Sequence, residues 1–189
     1  SCCAGSAELM STAKTVDMDW TVGTWTNAPA WAERVGDGMR VRAVEGSDAW
    51  RHTAYGFVHD TEHALLAPFP VGSAMEVEFV ADFAGDFDQA GLFVSAGPER
   101  WMKTGVEYSD RVMSVGAVVT DVMSDWSVAP VPEWQGRSIR VRVSRGPDAL
   151  TVRIGAVGEE LRLVRIVPFA GDLDAAAGPL VCAPTRADL

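Results

Sequence analysis

This sequence is poor in the features that announce common activities. Among 189 residues there are three cysteines and three histidines. Cys2 and Cys3 are adjacent near the start, and Cys182 lies in an apolar run, so they form neither a disulfide framework nor a zinc spacing. That usage fits a reducing compartment. No stretch of eighteen apolar residues occurs, which excludes a transmembrane helix. Lys and Arg total 16 against 26 Asp and Glu, a formal charge of −10. Such a balance argues against nucleic acid and anionic membranes as partners, because phosphate backbones demand a basic excess. There is no phosphate loop, no dinucleotide glycine fingerprint and no nucleophile elbow. His52, His59 and His63 are near one another in the chain. Their spacing on strands does not converge on a point, so no metal and no cofactor is expected.

What the chain does have is alternation with a period of two, the mark of half-buried strands. Met39–Val44, Met75–Phe83, Asp88–Val94, Trp101–Tyr108, Val112–Thr120, Ile139–Val143, Leu150–Ile154 and Leu161–Ile166 all show it. Turn signals such as Gly36-Asp37-Gly38 and Arg145-Gly146-Pro147-Asp148 separate them. About a dozen short strands with almost no helical pattern predict an all-β sandwich of two antiparallel sheets. Residues 1–14 are expected to be a mobile tail, 15–185 a single sandwich domain, and 186–189 a C-terminal tail. Met75, Val77, Phe79, Leu92, Val94, Val106, Val115, Ala117, Val141, Val143 and Val152 are the expected core. Glu76 and Glu78 share one strand face and read as a solvated exterior.

One strand breaks the pattern of apolar inside and polar outside. In Trp101–Tyr108 the residues Met102, Thr104, Val106 and Tyr108 suit a core. The opposite face carries Trp101, Lys103, Gly105 and Glu107: an aromatic, a cation, a gap and an anion in line. The flanking runs place Gly91 and Gly116 at corresponding positions. Glycine inside a strand often marks close approach by a ligand or another backbone, and the competing explanation is a bulge or strand coiling. The expectation is a binding surface floored by these glycines, with Gln89, Lys103, Glu107 and Thr120 around it. Trp50, Tyr55, Trp101 and Trp126 supply aromatic platforms, and Arg51 and Asp125 further hydrogen-bonding groups. A lysine beside Glu107 would keep that carboxyl ionised, favouring base over acid.

Five blocks carry a family resemblance: Asp48-Ala49-Trp50-Arg51-His52-Thr53-Ala54-Tyr55-Gly56-Phe57, Asp88-Gln89-Ala90-Gly91-Leu92, Trp101-Met102-Lys103-Thr104-Gly105-Val106-Glu107, Ser124-Asp125-Trp126-Ser127 and Gly178-Pro179-Leu180-Val181-Cys182-Ala183-Pro184. In that order the chain resembles the regulation-of-enolase protein family, a domain of unknown function grouped with the concanavalin A-like lectins and glucanases. The resemblance implies a jelly-roll sandwich with one concave face, a cytoplasmic protein and a loose link to sugar metabolism. It brings no established reaction and no catalytic residues. The expected function is therefore a lectin-like module binding a carbohydrate or sugar-derived small ligand. The alternatives are a regulatory protein-interaction module linked to sugar metabolism, with a protein partner, and a carbohydrate-active enzyme using Glu107. With no catalytic motif present, a binding role is expected over an enzymatic one.

Overall fold

Alternating runs become strands because each buries one face, and the pairing of those faces sets the architecture. The computed structural model describes residues 15–185 apart from Asp82 and Ala84. Both expected tails lie outside the described residues. In chain order the strands are β1 (Thr24–Trp25), β2 (Trp31–Val35), β3 (Gly38–Arg42), β4 (Ala49–Arg51), β5 (Val58–Asp60), β6 (His63–Pro68), β7 (Ala74–Ala81) and β8 (Gln89–Ser95). They continue as β9 (Arg100–Ser109), β10 (Val112–Asp121), β11 (Met123–Pro130), β12 (Arg137–Arg145), β13 (Ala149–Ala156), β14 (Arg162–Pro168) and β15 (Ala176–Cys182). A single 3-10 turn, Pro132–Trp134, is the only helical element among the described residues. Ala170–Ala177 forms no helix, and its end opens β15.

Seven strands form one antiparallel sheet in the order β1-β6-β15-β8-β9-β10-β11, and four form a second in the order β14-β13-β12-β7. Between them lies the main core. Leu92, Val94, Met102, Val106, Met113 and Ala117 come from the large sheet, and Ile139, Val141, Val143, Val152 and Ile154 from the small one. This is the two-sheet antiparallel sandwich expected from the alternation, of the jelly-roll type that the family resemblance implies. Met75, Val77, Phe79 and Val115 are only half-buried against that core. For the first three the reason is position, since β7 is an edge strand of the small sheet. Glu76 and Glu78 are on the small sheet's outer face, where the register sets them beside Arg142 and Arg140, which ion-pair with them. They belong to a solvated charge ladder of modest energetic weight.

A third layer was not legible in the sequence. The β4–β5 ribbon lies over the second face of the large sheet. Ala49 and Trp50 pack with Phe93, Trp101, Val118, Leu180 and Cys182 in a separate small core. The face read as a binding surface is therefore partly roofed.

Candidate functional site

The site grows from the register of β8, β9, β10 and β11. Gly91, Gly105 and Gly116 are in line across three strands, flanked on one side by Leu180 and on the other by Val128. One row along, Phe93, Lys103, Val118 and Trp126 are cross-strand neighbours, and on the other side Gln89, Glu107 and Ser114 are. All of these project to the face that the β4–β5 ribbon covers. The glycines are there for the backbone's sake. A Cβ on Gly91 would fall 2.0 Å from the Thr104 carbonyl oxygen, one on Gly105 2.1 Å from that of Ala90, and one on Gly116 2.1 Å from that of Ser127. The neighbouring strand fills the side-chain space, so Gly105 is a structural necessity of the sheet, not a floor kept open for a ligand.

Lys103 is buried, 5% exposed. Its Nζ lies 2.5 Å from Asp48 Oδ1, on the residue that leads into β4. Asp48 Oδ1 also accepts from the Ala49 backbone N–H at 2.8 Å, and the Gln89 amide lies 3.5 Å away while donating to the Phe87 carbonyl at 3.1 Å. Burial acts to lower the Lys103 pKa, but the Asp48 carboxylate, with smaller help from Cys182 and Glu107, raises it. The amine is held charged. Burial likewise pushes the Cys182 thiol up, so it stays protonated.

Glu107 does not follow the sequence expectation. Desolvation raises its pKa to about 7, against Lys103 and a hydrogen bond from the Trp126 indole, which lower it. Lys103 is committed to Asp48, so it does not keep Glu107 ionised. Glu107 Oε1 is buried with no hydrogen-bond partner. Gln89, Lys103, Gly105, Glu107 and Gly116 help line a cavity of about 20 Å³, which is room for roughly one water molecule.

A larger opening lies next to it. Trp50, Thr53, Ala54, Tyr55, Ser124, Asp125 and Trp126 line a surface cleft of about 380 Å³. Trp50 meets Trp126 edge-on at 6.4 Å and Tyr55 at 5.6 Å, and Tyr55 stacks on Phe57 at 5.4 Å. Trp126 is 37% exposed and Tyr55 60%, while Trp50 is largely buried and supports both. The β4–β5 loop that presents Tyr55 is strained. His52 and Ala54 adopt φ of 63° and 62°, and the flanking bonds Thr53 N–H to Arg51 O and Tyr55 N–H to Thr53 O close two successive three-residue turns. Such turns with positive φ are rare and strained, and strain of this kind concentrates at functional sites.

The ten residues singled out in the sequence thus divide. Trp50, Tyr55 and Trp126 come together in the cleft, and Gln89, Lys103 and Glu107 in the cavity beneath. Trp101 is packed against Phe93 at 5.3 Å and is 4% exposed, so it is core, not a platform. Arg51 is drawn aside by Asp60 at 3.5 Å and Glu99 at 3.1 Å. Asp125 lies opposite Val119, a residue of the main core face, and pairs with Arg165 of β14 at 3.3 Å; it borders the cleft from the far side of its strand. Sequence reasoning missed Asp48 and Ser124. Ser124 Oγ accepts from the Arg51 backbone N–H and meets Thr120 Oγ1, fastening the ribbon to β11. The one available signal for Asp48 was the need of a buried lysine for an acid, which does not say which of 26 acids supplies it. His63 is buried, its ring bridging the Val44 N–H and the Asn27 carbonyl. Among the described residues no cluster of His, Cys, Asp and Glu is arranged for a metal.

Residues 25–189 match the model of a family of proteins of unknown function, DUF1349. The chain is 30% identical over 167 residues to regulation of enolase protein 1 of Saccharomyces cerevisiae, covering 88% of this chain and 84% of that protein. The chain belongs to this family. A crystal structure of a functionally unknown protein from Saccharomyces cerevisiae superposes with a TM-score of 0.83 at 29% identity, over 89% of this chain and 91% of that one. A xylan β-1,4-xylosidase from Bacillus halodurans superposes at 0.61 with 12% identity, over 88% of this chain and 35% of that one. At that identity the likeness is one of fold alone. Among the described residues no helix is long and apolar enough to cross a membrane.

Proposed function

We propose that this DUF1349 protein is a lectin-like binding module that takes a carbohydrate or sugar-derived ligand in the cleft of Trp50, Tyr55 and Trp126. The observation that carries this reading is the cleft itself. At about 380 Å³ it falls within the range of small-ligand sites, which combine aromatic walls with a few polar groups. Two of its rings present an accessible body to solvent, and Trp126 joins the cleft to the polar cavity through its bond to Glu107. The sandwich class shared with a xylosidase agrees with a saccharide ligand. We further propose a cytoplasmic location, in keeping with a buried free thiol at Cys182.

A regulatory protein-interaction role is the second reading. It is favoured by apolar exposure beside the cleft at Phe57, Val58 and Val128 and by the name of the yeast relative. An enzyme using Glu107 is weaker, because that carboxyl opens into a cavity too small for a scissile bond.

Calorimetric titration with xylo-, cello- and manno-oligosaccharides tests the proposal. Binding is expected for at least one series, and Trp126→Ala is expected to weaken it roughly tenfold or more, about 1.4 kcal/mol for a lost aromatic platform. Trp31→Ala, an exposed Trp on the β2–β3 hairpin, should leave it unchanged. Equal loss in both variants, or none in either, sinks the cleft assignment.

A further inference from the structure

The polar groups under the cleft bear on which sugars it admits. Lys103 is the one cation among the residues lining either the cleft or the inner cavity. It is buried and committed to Asp48 at 2.5 Å. Gln89 also turns its amide toward Asp48. Arg51, which follows Trp50, is engaged by Asp60 and Glu99, and Arg165 on the far side of β11 by Asp125. Neither side is fully matched: Arg51 Nε and Glu107 Oε1 are both buried without a partner, and of the two only Glu107 lines the inner cavity. A phosphate or carboxylate is bound by free Arg or Lys forks. Here it would have to strip Lys103 from Asp48 while facing Glu107. A hydroxyl meets neither obstacle: it donates or accepts, and it fits a cavity of about 20 Å³.

Resting on the carbohydrate reading above, we infer that the site selects uncharged sugars: a ring lying against Trp126 sends one hydroxyl into the inner cavity to hydrogen-bond Glu107, and phosphorylated or carboxylated sugars are turned away. Trp126 lines the cleft and donates to the carboxyl of Glu107, which lines the cavity, so one hydrogen bond links the two spaces. The raised pKa of Glu107, about 7, gives a hydroxyl a partner on either side of neutrality, as acceptor from the acid or donor to the carboxylate.

The test is a matched series on the wild-type chain, read by tryptophan fluorescence and by thermal shift. Glucose, mannose and galactose are compared with their 6-phosphates, their uronic acids and their 2-amino forms. The binding hexose is expected to exceed its phosphate and uronate by about tenfold or more, ~1.4 kcal/mol. Glu107→Gln keeps a hydrogen-bonding group without the charge, so the ratio of neutral to anionic affinity should fall whatever the neutral affinity itself becomes; an unchanged ratio overturns the role given to Glu107. A 6-phosphate or uronate that binds as tightly as its parent overturns the charge selection and leaves the carbohydrate reading standing. A 2-amino sugar that binds about tenfold tighter than its parent overturns it too, by making the site one for cations. Silence across the whole panel, neutral members included, overturns this inference, while the oligosaccharide titrations decide the carbohydrate reading.

Discussion

Replacing Lys103 by Met removes a buried charge while keeping most of the side-chain volume, and its consequence follows from the geometry. At the Lys103–Asp48 separation of 2.5 Å, attraction in an effective dielectric of 20 is more than about 4 kcal/mol, the value for 4 Å. Most of that offsets the desolvation of the two groups, so the pair itself adds little net stability. Removing one partner is a different matter, because Asp48 keeps its desolvation cost without its counter-charge. Losses of about 3–5 kcal/mol are usual for such a step. Asp48 keeps the Ala49 N–H bond, and its side chain is 21% exposed, so Lys103→Met should fall near the lower end, about 3 kcal/mol. The reverse change, Asp48→Asn, strands an ammonium whose side chain is only 6% exposed and should cost about as much or more. The double variant should recover more than half of either loss, because it buries no unpaired charge. Urea denaturation of the four proteins in a double-mutant cycle measures this. A loss under about 1 kcal/mol for Lys103→Met, the level of an ordinary surface change, would show that Lys103 stands in a solvated cleft and would refute the buried-pair argument.

Further outcomes follow from the same features. Burial raises the Glu107 pKa to about 7 from an ordinary 4.5, so the native state binds the extra proton. Its contribution to stability is complete below about pH 4.5 and is lost as pH rises through 7, by at most about 3 kcal/mol at 1.36 kcal/mol per unit. Glu107→Gln should flatten that slope in denaturation curves between pH 5 and 8, and an unchanged slope would assign it to another group. Gly105→Ala should lower the melting temperature sharply or abolish soluble expression, since its Cβ would fall 2.1 Å from the Ala90 carbonyl oxygen; a stable, unperturbed variant would mean that the strands are not so closely set. Residues 15–185 are proposed to form a single cooperative unit, and calorimetry should show one transition with matching calorimetric and van't Hoff enthalpies; two resolved transitions would divide the domain.

The alternation of apolar and polar residues determined a good deal by itself. It placed β7 to β10 and β12 to β14, chose which face of each looks into the sandwich, and put Lys103, Glu107 and Gln89 on the face away from the main core. Period-two patterning is local, so it can be read without knowing the partner strand. It also aligned Gly91, Gly105 and Gly116, although not the cause: whether a strand glycine faces a ligand or a neighbouring carbonyl depends on how closely the backbones lie. Only the tertiary structure decided that the β4–β5 ribbon roofs the second face. That one contact buries Trp101 and brings Asp48 from 55 residues away onto Lys103. It also buries Glu107, and desolvation outweighs the pull of Lys103 on that carboxyl. The aromatic cleft is likewise tertiary, since Tyr55 reaches Trp50 through two strained turns and Trp126 arrives on a strand more than 70 residues later. Desolvation and ion pairing depend on what lies overhead, and no spacing along a single strand encodes that.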